Sequence, residues 1–256
     1  MFHSSPHVPL LEVRSLTVQF GGLKALSDIS ISLMPGEVVG VIGPNGAGKT
    51  TLFNAISGFV KGEGEFYLSG EKRDWLAPHQ LIGEGVARTL QGVGLFPNLT
   101  AFENVLTAVE QVEKKNFFAS ALGQRSEAAL EYQAHVALEN AYCGSLENVM
   151  ASALSYPDAK RVALARALAN NPRILLLDEP AGGLGVQEID WMKRLIHNIK
   201  AHTSIMLVEH HMDVVMDVCD RIYVLNFGQL IAQGTPEEIR NDPQVIASYL
   251  GNGAKL

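Results

Sequence analysis

Three short runs along the chain contain no polar residue: 38–42 (Val-Val-Gly-Val-Ile), 174–177 (Ile-Leu-Leu-Leu) and 205–208 (Ile-Met-Leu-Val). Continuous apolar runs of this length predict strands covered on both faces, the core of a parallel sheet. Residues 10–20 and 25–33 alternate instead and predict two further strands, with Gly21-Gly22 turning between them. Pro35-Gly36 then turns the chain into the first apolar run, and 66–69 predicts another short strand. From 81 to 169 the character changes. Residues 126–139 are rich in Ala, Glu and Leu with no Gly or Pro and predict a helix; 162–169 predicts a second, closed by Asn170-Asn171-Pro172. Residues 187–200 have the spacing of an amphipathic helix, and 221–226 with 229–233 predict a hairpin about Phe227-Gly228. The order is strands, an inserted helical block, then strand–helix–strand. This predicts an α/β fold.

Composition narrows the function. The chain has 256 residues, 47% of them hydrophobic and 18% charged, enough to bury a sizeable core. A net charge of −7 opposes a general nucleic-acid surface, so any phosphate recognition must be local. Cys143 and Cys219 form no CxxC pattern, which suits a reducing compartment. Residues 1–9 lack Lys, Arg and an apolar core, so no secretory signal is expected. The apolar runs are too short to span a bilayer, and a membrane role would come through a partner.

The first run leads into Gly43-Pro44-Asn45-Gly46-Ala47-Gly48-Lys49-Thr50-Thr51 and then into a helical stretch. Strand, glycine-rich turn and helix start form the setting of a phosphate-binding loop. Glycines let successive N–H groups turn inward toward phosphate oxygens, and the helix start adds positive potential. Lys49 supplies charge for the β- and γ-phosphates, and the Thr50 hydroxyl suits Mg²⁺. The second run ends in Asp178-Glu179-Pro180. A buried strand thus delivers two carboxylates to its tip, Asp178 to hold Mg²⁺ through water and Glu179 to face a water aimed at the γ-phosphate.

These residues, with Gln91, the 154–158 segment and His210, occur in the order and spacing of ATP-binding cassette (ABC) ATPases, which the chain resembles from about 11 to 250. Phe20-Gly21-Gly22, Ala87-Arg88-Thr89-Leu90-Gln91, Leu95-Phe96-Pro97 and the tail from Gly234 to Gly251 resemble the importers of branched-chain amino acids. The resemblance implies a P-loop NTPase fold with a RecA-like core, an antiparallel β subdomain and an inserted α-helical subdomain. It implies one cassette over 10–251, with the insertion at about 92–168 and flexible ends at 1–9 and 252–256. Phe20 would stack on adenine, and Gln91 would complete the Mg²⁺ and water shell and sense the membrane subunit. His210 would contact the γ-phosphate, with His211 incidental. Residues 181–185 would cross to a second subunit. The implied function is ATP hydrolysis powering an importer of branched-chain amino acids or related small solutes. Partners would be transmembrane permease subunits, a second cassette and, indirectly, a solute-binding protein, at the cytoplasmic face of the membrane and without nucleic acid. A soluble cassette of another role and an ATP-binding switch with weak turnover are the alternatives.

Two positions depart from the family. Ser155-Tyr156-Pro157-Asp158 occupies the signature that closes over the partner cassette's nucleotide, and Pro157 stands where Gly is usual. Proline has no N–H, so one donor to the γ-phosphate is missing, a loss of about 1.5–3 kcal/mol. Gly185 stands where Asp or Asn is usual. This asymmetry favours a heterodimer with an intact partner signature over a homodimer.

Overall fold

The computed structural model describes residues 8–89, 92–109 and 127–250. Gln91, residues 1–7 of the expected flexible end at 1–9, and the expected end at 252–256 lie outside the described residues. The chain divides into two compact units, one taken from the chain up to Arg88 and from Arg173 onward, the other Thr89–Pro172.

In the first unit, β1 (Leu11–Phe20), β2 (Leu23–Leu33), β4 (Glu63–Leu68) and β5 (Glu71–Arg73) form an antiparallel sheet in the order β2-β1-β4-β5. Its alternation is real: Leu11, Val13, Leu16 and Val18 of β1 are buried while polar neighbours face out. The second sheet holds the apolar runs, β3 (Val38–Ile42), β7 (Ile174–Asp178) and β8 (Ser204–Val208), every residue of them buried. With β6 (Val86–Arg88) and the hairpin β9 (Arg221–Asn226) and β10 (Gln229–Gly234), the order is β10-β9-β3-β8-β7-β6. All neighbours from β9 to β6 pair parallel. At the hairpin tip Phe227 and Gly228 have φ 45° and 74°, the paired left-handed conformation of a tight type I′ turn.

Helices α1 (Lys49–Ile56), α5 (Val186–Ile199), α6 (Met212–Val218), α7 (Pro236–Asn241) and α8 (Pro243–Leu250) complete this unit. Helix α5 starts one residue before its expected boundary and buries Trp191, Met192, Leu195 and Ile196, the i, i+1, i+4, i+5 stripe of an amphipathic helix.

The second unit packs α2 (Ala101–Leu106), α3 (Glu127–Asn140) and α4 (Tyr156–Leu168) around Val105, Leu130, Ala134, Leu138, Val162 and Ala165. Helix α2 carries a full capping box, with Thr100 Oγ1 accepting from Glu103 N and the Glu103 carboxylate accepting from Thr100 N. Helix α4 begins six residues earlier than the expected start at 162. Proline at its second position stops no helix, because the first-turn N–H groups have no intrahelical partner. Among the described residues, no helix is long and apolar enough to cross a membrane.

Candidate active site

Strands β3, β8 and β7 are neighbours, and their register pairs Val41 with Val208 and Val208 with Asp178. Their carboxyl ends are therefore level, and the loops that leave them share one edge of the sheet, where open α/β sheets bind ligands.

The loop after β3 runs from Gly43 into α1. Gly43 has φ 150°, and a Cβ there would strike the Leu225 carbonyl oxygen, so the strand–loop junction admits glycine alone. Gly48 has φ 104°, and its Cβ would lie 2.6 Å from Leu26 Cδ2. Ala47 is buried, with its carbonyl accepting from Gly228 N at 3.0 Å, whereas Asn45, Gly46 and Thr50 are exposed and Pro44 and Thr51 half-buried. Lys49 is buried, and its Nζ donates to the Gly43 and Pro44 carbonyls at 2.7 and 3.0 Å. Burial lowers the Lys49 pKa, and the nearby Glu179 and Asp178 carboxylates push it back up. The ammonium thus closes a ring with its own loop and faces both acids.

Asp178 ends β7 and is buried. Its Oδ2 accepts from Arg88 at 2.8 Å, with the two side chains only 2% and 7% exposed. The same guanidinium donates to Asn54 Oδ1 at 2.9 Å and Ser57 Oγ at 3.1 Å, so Arg88 ties the acid to α1. Glu179 follows with φ 49°, a left-handed conformation that is costly for a side chain of this kind. Its N–H donates to the Val208 carbonyl at 2.9 Å.

After β8, Glu209 is fully buried. Its Oε1 accepts from Ala181 N at 2.7 Å, and its Oε2 accepts from His210 N at 2.7 Å and His211 N at 2.9 Å. The His210 ring is exposed and tilts against His211, ring centres 4.5 Å apart. Phe20 ends β1 with half its surface exposed. Tyr249, on α8, is hydrogen-bonded through its hydroxyl to the Gly43 backbone; burial raises its pKa to about 12 against that hydrogen bond.

Lys49, Thr50, Asp178, Glu179 and His210 therefore come together at three adjacent strand ends. Hydroxyl and carboxylate oxygens, from Thr50 and Asp178, are hard donors that suit Mg²⁺. The 155–158 segment lies in the other unit. There Ser155 caps α4: its Oγ accepts from Asp158 N at 3.3 Å and donates to Asp158 Oδ2 at 2.7 Å. Tyr156 and Pro157 occupy the first two helical positions. Gly185 caps α5 without a side-chain hydrogen bond.

Arg88, Glu209 and Tyr249 escaped the sequence reading as parts of the site. Arg88 lay inside a noted motif, and Glu209 stood as a carboxylate directly after a fully apolar run, the one local sign that it turns inward.

Residues 26–182 match the ABC transporter family, and 229–255 match a segment described as that of the branched-chain amino acid ATP-binding cassette transporter. The chain is 42% identical to the high-affinity branched-chain amino acid transport ATP-binding protein BraF of Pseudomonas aeruginosa over 95% of its own length and 98% of the relative's. Its fold is similar to the ADP conformation of MJ1267, an ATP-binding cassette of an ABC transporter, with a TM-score of 0.82 and 31% identity over 95% of this chain and 99% of that one. It is also similar to the dimeric post-hydrolysis state of the cassette MJ0796 bound to ADP and Pi, at a TM-score of 0.74 and 27% identity over 88% and 98%. The chain belongs to the ABC transporter family, as one of its nucleotide-binding, ATP-hydrolysing cassettes.

Proposed function

We propose that this chain powers an importer of branched-chain amino acids, seated peripherally on the cytoplasmic face of the membrane against permease subunits. The observation that carries the reading is the tail, since residues 229–255 match the segment particular to branched-chain amino acid cassettes while the identity to BraF extends over nearly the whole chain. A solute-binding protein would be reached only through the permease. Nucleic acid has no part in the reading, in keeping with the net charge of −7. We read 10–251 as one cassette with an insertion at about 92–168.

In this reading the amides of Gly43, Pro44, Asn45, Gly46, Ala47, Gly48, Lys49, Thr50 and Thr51 (those that carry one) and the Lys49 ammonium take the phosphates. Phosphate oxygens replace the two carbonyls that Lys49 now contacts. The exposed face of Phe20 takes the adenine. Thr50, Asp178 through water and Gln91 would hold Mg²⁺, which would supply positive charge to the phosphates. Glu179 accepts the proton of a water whose oxygen attacks the γ-phosphorus; the bond to the bridging oxygen breaks, leaving ADP and phosphate. His210 holds that water and the γ-phosphate. Arg88 fixes Asp178 from behind.

Uptake by the complete transporter in proteoliposomes tests the proposal. ATP inside the lumen-equivalent of the cytoplasm should drive entry of labelled leucine, isoleucine or valine, and Glu179→Gln should abolish it. Uptake of other small solutes without these three overturns the solute assignment.

Pro157 favours a second reading, a cassette whose partner-facing half supports closure but little turnover. Phosphate release from the assembled transporter separates the two. The same asymmetry favours a heterodimer with a distinct cassette over a homodimer.

A further inference from the structure

Glu209 has no part in the chemistry described above, yet it is the most completely buried carboxylate beside the site. Both of its oxygens are used, and they point to different loops. Oε1 accepts from Ala181 N at 2.7 Å, in the loop that leaves β7. Oε2 accepts from the backbones of His210 and His211 at 2.7 and 2.9 Å, in the loop that leaves β8. A second link runs alongside it, from Glu179 N to the Val208 carbonyl at 2.9 Å. The peptide carrying Glu179, with its left-handed φ of 49°, is therefore tied on both sides to the peptide carrying His210.

We propose that Glu209 is a positioning residue for hydrolysis: its carboxylate joins the two loops into one body and so sets the Glu179 and His210 side chains relative to each other. The proposal rests on the reading of Glu179 and His210 given above. A carboxylate is the group the arrangement requires, because both ends must accept. A glutamine has one accepting oxygen and one donating nitrogen. Whichever way its amide turns, an N–H group faces another N–H group at Ala181 or at His210 and His211. Residues that cap only one loop leave buried N–H donors unpaired at the other.

Three measurements on the full chain test this. First, in the assembled transporter Glu209→Gln should lower kcat tenfold or more while the ATP affinity stays within about threefold, since the phosphate loop is untouched. Second, in single turnover the same change on a Glu179→Gln background should cost less than about threefold, because with the base removed its placement relative to His210 no longer matters. An unchanged kcat, a loss confined to KM, or a full tenfold loss in the Glu179→Gln background overturns the proposal. Third, amide exchange of the native chain needs no variant: Ala181, His210 and His211 should exchange through one common opening with matched protection. Independent opening of Ala181, with protection tenfold or more below the histidine amides, also overturns it. If the native transporter itself hydrolyses no ATP, the functional reading fails, and the exchange measurement still decides whether Glu209 binds the loops together.

Discussion

Arg88 and Asp178 are 90 residues apart in the chain and form a buried ion pair, with Nη2 donating to Oδ2 at 2.8 Å. Two further hydrogen bonds carry the guanidinium to Asn54 of α1 and to Ser57, which caps that helix. Removing one member of such a pair leaves an uncompensated buried charge. Arg88→Met should therefore cost about 3–5 kcal/mol in urea unfolding. Arg88→Lys keeps the charge but not the fork that serves three acceptors, and should fall between Met and native. A Met variant within 1 kcal/mol of native, on the order of ordinary surface changes, would show that Asp178 is held by something else.

Lys49→Met should weaken ATP binding about ten- to a hundredfold, the loss of a charged hydrogen bond to phosphate. It should also change how stability responds to pH. Burial lowers the folded-state pKa of Lys49 below 10.5, so between those two values the unfolded chain binds more protons. The Lys49 contribution is thus least favourable below the folded pKa and improves as pH rises through 10.5. In nucleotide-free urea titrations the native chain should gain stability relative to Lys49→Met as pH rises toward 10.5. A native chain that loses ground to the variant over that rise would contradict the burial of this ammonium.

Tyr249 carries the opposite sign. Its phenol stays protonated to about pH 12 in the folded protein against an ordinary value of 10.0. Its contribution is fully present below pH 10 and is lost as pH rises from 10 toward 12. Tyr249→Phe should remove about 1 kcal/mol near pH 7, and should flatten the decline between native and variant above pH 10. Nucleotide affinity should drop only a few-fold, since Gly43 remains pinned by its own sterics. Parallel pH profiles for the two proteins would argue against the burial of this phenol.

At α4, Ser155→Ala removes the cap and should lower stability by about 1 kcal/mol, read from the thermal midpoint. Pro157→Gly restores an N–H at the second helical position. If the missing donor limits turnover, phosphate release by the assembled transporter should rise about tenfold, at a small stability cost from the added backbone freedom. No gain in rate, with a native or an altered partner cassette, would show that the helix start suffices without that donor.

The readable parts of this fold were those set by local pattern. The apolar runs became β3, β7 and β8, and the tight turn at Phe227-Gly228 stands where two short strands left room for nothing else. Strand β4 begins at Glu63, three residues before the apolar stretch, because Glu63 and Glu65 pair by backbone with Thr17 and Arg14 of β1, which a Glu-Gly-Glu segment allows. Strand β6 has only three residues and takes its identity from pairing with β7, each residue with one 88 positions later. Helix α4 extends ahead of the expected 162 to Tyr156, since a proline in the first turn forfeits no intrahelical hydrogen bond. In the site, Lys49, Asp178 and Glu179 announced themselves through motif and strand context. Arg88 did not, since Asn54, Ser57 and Asp178 are all distant in sequence, and Glu209 did not, since the bond that joins it to the other loop reaches back 28 residues to Ala181.

The floor beneath the phosphate loop comes from the far end of the chain. Gly228 grips Ala47, Leu225 closes on Gly43, and β3 lies between β8 and β9, both made more than 150 residues later. During synthesis the loop emerges early, but its supports are translated far later. A ribosome-bound fragment that stops short of this hairpin carries the residues for gripping ATP without the scaffold that shapes them, so the loop gains its affinity for nucleotide only once the hairpin has been made.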